Sequence, residues 1–143
     1  MTATATAAAK TATGIEAIYD NYVETFGTKQ PDAIIKNHAE NGTFWLHTGG
    51  APVQGREAIA RTFAGFFANW PEFGFKVARV IFAQDHWVLD WAITAVLTGK
   101  DGTRHPVSID ALDIIDVDAD GLVSRKDTWI DGGQLKAALE KLA

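Results

Sequence analysis

A carboxylate in the middle of an apolar strand face is the feature of this sequence with the clearest chemical meaning. From Val107 to Val117 the residues alternate, so Val107, Ile109, Ala111, Asp113, Ile115 and Val117 share one face. Every neighbour of Asp113 on that face is a hydrocarbon. If the face is buried, an ionised carboxylate there is very costly without a partner. Staying protonated, with a raised pKa, is the cheaper state. A neutral carboxyl in a dry pocket donates a strong hydrogen bond to a developing oxyanion. The competing reading turns this face to solvent, or ties Asp113 to backbone groups.

Other polar groups could join it. Asp90 lies between Leu89 and Trp91 and shares a face with Val88, Ala92 and Thr94; it is either a second buried acid or an exposed one. Four of the five tryptophans, Trp45, Trp87, Trp91 and Trp129, fall on strand-like segments, as walls for a flat apolar ligand or as core and interface packing. Asp116-Val-Asp118-Ala-Asp120-Gly121 matches the start of a calcium loop, with Asp127 at its twelfth position. Such a loop needs flanking helices, and strand patterns flank this one, so an acidic hairpin turn is expected. The histidines at 38, 47, 86 and 105 show no metal-ligand spacing, and no metal is expected.

The elements that must position these groups follow from periodicity. Thr13 with Glu16 makes a capping box, and Ile15, Ile18, Tyr19, Tyr22, Val23 and Phe26 follow at helical spacing, ended by Gly27. Pro31 opens a second helix through about His38. Thr43 to His47 reads as a strand, broken at Thr48-Gly49-Gly50. A third helix is expected over about Arg56–Asn69. Strands follow at about Lys76–Ala83, Trp87–Thr98, His105–Val117 and Leu122–Ile130, joined by short turns. Gln134 to Leu142 reads as a closing helix. Helices grouped before an antiparallel meander predict an α+β fold, a cone-shaped curved sheet wrapped around N-terminal helices, with a cavity at its open end.

Composition sets the bounds. A chain of 143 residues, 47% hydrophobic and 22% charged, is long enough for one domain with a core. A net charge of −5 gives no reason to expect nucleic acid or an anionic membrane as partner. The absence of cysteine excludes disulfides and agrees with a reducing compartment. The Ala/Thr-rich opening lacks the apolar stretch of a signal peptide, so residues 1–13 are expected to form a disordered tail, 14–143 a single domain, and the location is expected to be cytoplasmic.

Three segments carry a family resemblance: Gln54-Gly55-Arg56-Glu57-Ala58-Ile59, Asp110-Ala-Leu-Asp113-Ile-Ile, and Asp120-Gly121-Leu122-Val123. With them the chain, from about Ile15 to Leu139, resembles the nuclear transport factor 2-like (cystatin-cone) proteins. That family includes ketosteroid isomerase, SnoaL-like polyketide cyclases and limonene epoxide hydrolase. The pattern of ketosteroid isomerase would put an oxyanion-holding tyrosine at Tyr22 and a protonated aspartic acid at Asp113. Its general base falls on Leu46, which cannot take a proton. His47 is adjacent, but one residue along a strand points to the opposite face unless a bulge near the glycines turns it inward. The arginine and first aspartate of limonene epoxide hydrolase fall on Ala92 and Thr94, so that set is absent.

The resemblance implies a cofactor-free isomerase or cyclase acting on a small hydrophobic carbonyl compound through an enolate. Asp113, Tyr22, His47 and Asp90 are the candidate catalytic groups. Leu46, Phe63, Trp91, Ala111, Ile115 and Thr128 are the candidate lining. The alternative is a hydrophobic-ligand-binding or assembly domain without catalysis. If Asp113 points inward, Ser108, Leu112 and Ile114 point outward. Two large apolar residues there favour a homodimer through the outer sheet face.

Overall fold

The computed structural model describes residues 14–143, so the expected N-terminal tail and the Thr13 cap lie outside the described residues. Helix α1 (Ile15–Phe26) buries Tyr19, Tyr22 and Phe26, the stripe its spacing predicts. The left-handed turn that follows falls on Lys29, at φ 58°, and not on Gly27. Helix α2 (Pro31–Ile34) is one turn long and tightens into a 3-10 turn at Ile35–Asn37. The expected helix through His38 is corrected here: His38 is extended and opens strand β1 (His38–His47). The Arg56 Nε–H donates to the His38 carbonyl at 2.9 Å, which ties the strand's first residue to the next helix.

A two-residue strand, β2 (Val53–Gln54), pairs back onto β1 and was not expected. Gly55, at φ 92°, makes the sharp entry into α3 (Arg56–Asn69), a backbone state that glycine adopts without steric cost. Then come β3 (Gly74–Phe82), β4 (His86–Thr98), β5 (Arg104–Val117), β6 (Val123–Ile130) and α4 (Gly132–Leu139). Asp131 caps α4, its carboxylate accepting the Gln134 N–H at 2.9 Å.

The sheet has six strands in the order β2-β1-β6-β5-β4-β3 and is curved. From β3 to β6 each strand turns back on its predecessor. β1 pairs with β6 in parallel, because no hairpin links them and the rest of the sheet lies between them in sequence. The fold is thus α+β, with helices packed on the inner face. Tyr19 and Tyr22 of α1 meet Trp87 of β4 at ring-centre distances of 5.4 and 5.9 Å, and Phe63 of α3 meets Phe26 and Phe44 at 5.6 and 5.0 Å. Burying a side chain of this size contributes about 1.5–3 kcal/mol, so this aromatic layer fixes where the helices sit.

The acidic segment between β5 and β6 is a hairpin turn. The Asp118 carboxylate accepts the N–H groups of Asp120 and Leu122 at 2.9 and 3.0 Å, and Gly121 takes φ 79°. Among the described residues, no group of three or more His, Asp or Glu is placed to hold a metal ion, and no helix is long and apolar enough to cross a membrane.

Candidate active site

Asp113 projects from the inner face of β5 and is 1% exposed. Its partners come from β6. The register sets Thr128 directly opposite Asp113 and Lys126 opposite Ile115, two residues along on the same face. Thr128 Oγ1 donates to Asp113 Oδ1 at 2.7 Å, and Lys126 Nζ donates to Oδ2 at 3.1 Å. Lys126 is itself only 3% exposed. The expectation of a lone carboxyl among hydrocarbons is therefore corrected: the partner that burial demands is present, on the neighbouring strand. The Lys126 ammonium also lies 4.8 Å from the ring centre of Phe26 and 5.1 Å from that of Tyr22, so aromatic faces supply attraction that water would otherwise give.

A second polar pair adjoins the first. The Tyr22 hydroxyl and His38 Nε2 are 2.9 Å apart and buried. Burial, then the positive charges of Lys126 and Arg56, push the His38 pKa down to about 3. At neutral pH the ring is therefore uncharged and carries one N–H. Burial, then the Asp113 charge, raises the Tyr22 hydroxyl well above its ordinary value. Tyr22 is thus a neutral donor. With the histidine proton on Nε2, the imidazole donates to the tyrosine oxygen and leaves the Tyr22 O–H free to donate to a ligand.

These groups line a tight cavity of about 20 Å³. Tyr22, Asp113 and Lys126 form its polar side; Phe26, Phe75, Trp87 and Trp91 wall it. A second cavity of about 20 Å³ lies alongside, lined by Phe44, Leu46, Phe63, Phe66, Ile93 and Thr128. Phe26, Trp91 and Lys126 border both. Among the described residues, the indole N–H groups of Trp87 and Trp91 and the Nδ1 of His38 are buried without a hydrogen-bond partner.

Of the residues singled out from sequence, the structure brings Tyr22, Trp91, Asp113 and Ile115 to the first cavity and Leu46, Phe63, Trp91 and Thr128 to the second. Ala111 is buried on the same strand face but lines neither. His47 and Asp90 need correction. His47 is on the opposite face from Leu46, stacked between Trp45 and Trp129 at 4.1 and 4.3 Å and bonded to Asp127 at 2.8 Å. No bulge at the glycines turns it inward; the irregularity in β1 lies between His38 and Thr43. Asp90 alternates with the buried Leu89 and Trp91, so it faces outward and meets Arg79 at 3.3 Å.

Lys126 and His38 are the groups that sequence reasoning missed. Lys126 shares parity with Thr128, so once Thr128 is placed inside, Lys126 follows; the signal was there, but a lysine in a mixed strand reads as surface. His38 gave no signal, because it was assigned to a helix end.

Comparison with known proteins agrees with this architecture. The family model for the SnoaL-like domain matches residues 19–126. Among solved structures, a SnoaL-like polyketide cyclase from Shewanella denitrificans superposes with a TM-score of 0.75 at 12% identity, covering 87% of this chain and 96% of that one. SalBIII, an epoxide hydrolase/cyclase-like enzyme of pyran ring formation in the polyether salinomycin, gives 0.69 at 19% identity, over 83% and 92%. A ketosteroid isomerase-like protein from Erwinia carotovora atroseptica gives 0.59 at 20% identity, over 81% and 92%. At these identities the likeness is one of fold. No curated protein sequence matches significantly. The helices, the curved sheet, the inward-facing polar groups and a domain match over most of the chain lead to one assignment: this protein belongs to the SnoaL-like family.

Proposed function

We propose that this chain is a cofactor-free enzyme that moves protons on a small hydrophobic carbonyl compound, as an isomerase or a cyclase. One observation carries the reading: Asp113, Lys126 and Tyr22 converge on one side of a cavity whose other walls are aromatic. In such a site the ligand's carbonyl oxygen lies toward the Tyr22 hydroxyl and the Lys126 ammonium, which stabilise the enolate oxygen as charge develops. The Asp113 carboxylate takes the proton from the carbon beside the carbonyl. Returning that proton to a different carbon is isomerisation. Attack of the enolate carbon on a second carbonyl is cyclisation.

Leu46 supports a second reading, a ligand-binding domain without catalysis. It occupies the position where the resemblance to ketosteroid isomerase places the base, and it faces the cavity next to Lys126. Ligand binding and turnover measured side by side separate the two. A steroidal phenol of the equilenin type should quench the fluorescence of Trp87 and Trp91, and Asp113→Asn should keep that binding. The same substitution should lower turnover of a β,γ-unsaturated ketone by roughly 10²–10⁴-fold. Leu46→Asp should raise isomerase turnover by adding a second carboxylate where the ketosteroid isomerase pattern places its base. Binding without turnover in the natural chain, and no gain in Leu46→Asp, would favour the binding domain.

The reading extends to assembly. Leu112 and Trp129, 39% and 38% exposed on the outer sheet face, suit a homodimer through that face. Light scattering at micromolar concentration should give twice the chain mass; a monomer overturns the dimer.

A further inference from the structure

Lys126 combines features that a charge-pairing role alone does not require. Its amine is buried, lies against the faces of Tyr22 and Phe26, and has the Asp113 carboxylate as its hydrogen-bond acceptor. It borders both cavities, so a ligand in either one meets it. A desolvated lysine beside a proton acceptor, opening into an apolar pocket, is the setting in which an amine becomes a nucleophile toward carbonyl carbon. We propose that Lys126 condenses with the ligand's carbonyl to form an iminium, which makes it a covalent catalytic residue. This rests on reading the pocket as a carbonyl site.

The step balances within the site. When a ligand fills the pocket, Asp113 Oδ2 takes a proton from Nζ across the 3.1 Å contact. The nitrogen lone pair forms the C–N bond, and the carbonyl π pair moves to oxygen, which takes that proton from Asp113. Asp113 then carries a second proton from nitrogen to the hydroxyl. The C–O bond breaks, water leaves, and a C=N⁺ bond remains. The net change is ammonium plus carbonyl to iminium plus water, with Asp113 returned as carboxylate. Thr128, donating to the other carboxylate oxygen at 2.7 Å, holds Asp113 in place for both transfers. An iminium withdraws electrons from the neighbouring C–H bond more strongly than a hydrogen-bonded carbonyl does. A site with leucine at position 46 would then manage with Asp113 as its base.

The test uses benzoylacetone, an apolar β-diketone that gives a lysine enaminone with its own near-ultraviolet absorption and releases one water. Fluorescence quenching of the cavity tryptophans reports binding; the enaminone band and peptide mapping report condensation. One adduct per chain on Lys126, forming at least about tenfold faster than on exposed lysines, is the expected result. Lys126→Arg, which keeps the charge opposite Asp113, should still quench but give no adduct at that position. Quenching without an adduct, or adducts on exposed lysines alone, overturns the covalent role and leaves the carbonyl-site reading standing. Neither quenching nor adduct overturns both.

Discussion

Asp113 and Asp127 stand on adjacent strands and are held alike, on opposite faces of the sheet. Asp113 faces inward and takes Lys126 and Thr128. Asp127 faces outward and takes Arg125, through two bonds of 2.7 and 3.1 Å, and His47 at 2.8 Å. Each is a carboxylate with one cation and one further side-chain partner. What differs is the medium. The side chains of Lys126 and Asp113 are 4% and 2% exposed, whereas the outer pair is buried only at its carboxylate, with Arg125 44% and Asp127 9% exposed. The same bonding pattern therefore holds a fully buried ion pair on one face and, on the other, a buried carboxylate whose cation is open to screening solvent. A bond list alone would not separate the two.

The comparison breaks most visibly if the inner cation is removed. Lys126→Met leaves Asp113 buried and unpaired and should cost about 3–5 kcal/mol of unfolding free energy in urea. Removing both charges, as Lys126→Met with Asp113→Leu, should recover much of that loss. A single variant as stable as the natural chain would show that the inner pair is no drier than the outer one.

Acid should expose the next largest difference. His38 has a folded pKa of about 3 against about 6.5 in the unfolded chain. Below pH 6.5 the unfolded state binds a proton that the folded state refuses, so stability falls with falling pH, by up to about 1.4 kcal/mol per unit, until the folded ring titrates. His38→Gln should flatten the stability profile between pH 6.5 and 4. An unchanged slope would place His38 in a wetter setting than its burial indicates. Asp127 behaves differently. Burial raises its pKa, but the bonds from Arg125 and His47 outweigh that and hold it below the usual carboxylate range. Its contribution is present above the unfolded carboxylate value and fades only as pH falls through the lower folded one.

Two smaller changes sharpen the contrast. Thr128→Val removes one buried donor to a carboxylate at nearly constant volume and should cost about 1–3 kcal/mol. Arg125→Ala, on the outer face, should cost no more than about 1 kcal/mol and less as salt is added. Equal losses for the two, measured in the same denaturant series, would remove the distinction between the faces.

How far the sequence carried depended on which periodicity was intact. Strand β5 alternates cleanly, so the face that Asp113 shares with its hydrocarbon neighbours was readable, although whether that face turned inward or to solvent was not. The aromatic stripe of α1 and the span of α3 were readable for the same reason. Strand β6 reads Val-Ser-Arg-Lys-Asp-Thr-Trp-Ile, which has no apolar face to set its parity, and a bulge between Asp116 and Val117 shifts its register. Lys126 was hidden there, and with it the partner that changes what Asp113 can do. The faces of His47 and Asp90 stayed open in the sequence because adjacent residues differ only in side, and what packs beneath them decides which is taken.

The pairing of β1 with β6 also has a consequence for how the molecule comes into being. Strands β3 to β5 can zip together as they leave the ribosome, each beside its predecessor. β6 turns back on β5 in the same way, but its pairing with β1, which completes the site, cannot form so locally. Tyr22 and His38 are made early, Lys126 and Thr128 nearly last, and Asp113 has no partner until the final strand slots between β5 and β1. Such distant pairings close slowly. Until they do, β5 presents an unpaired edge, the kind that recruits a stray strand from another chain. A nascent chain stalled before β6 would thus hold most of the sheet and none of the finished chemistry.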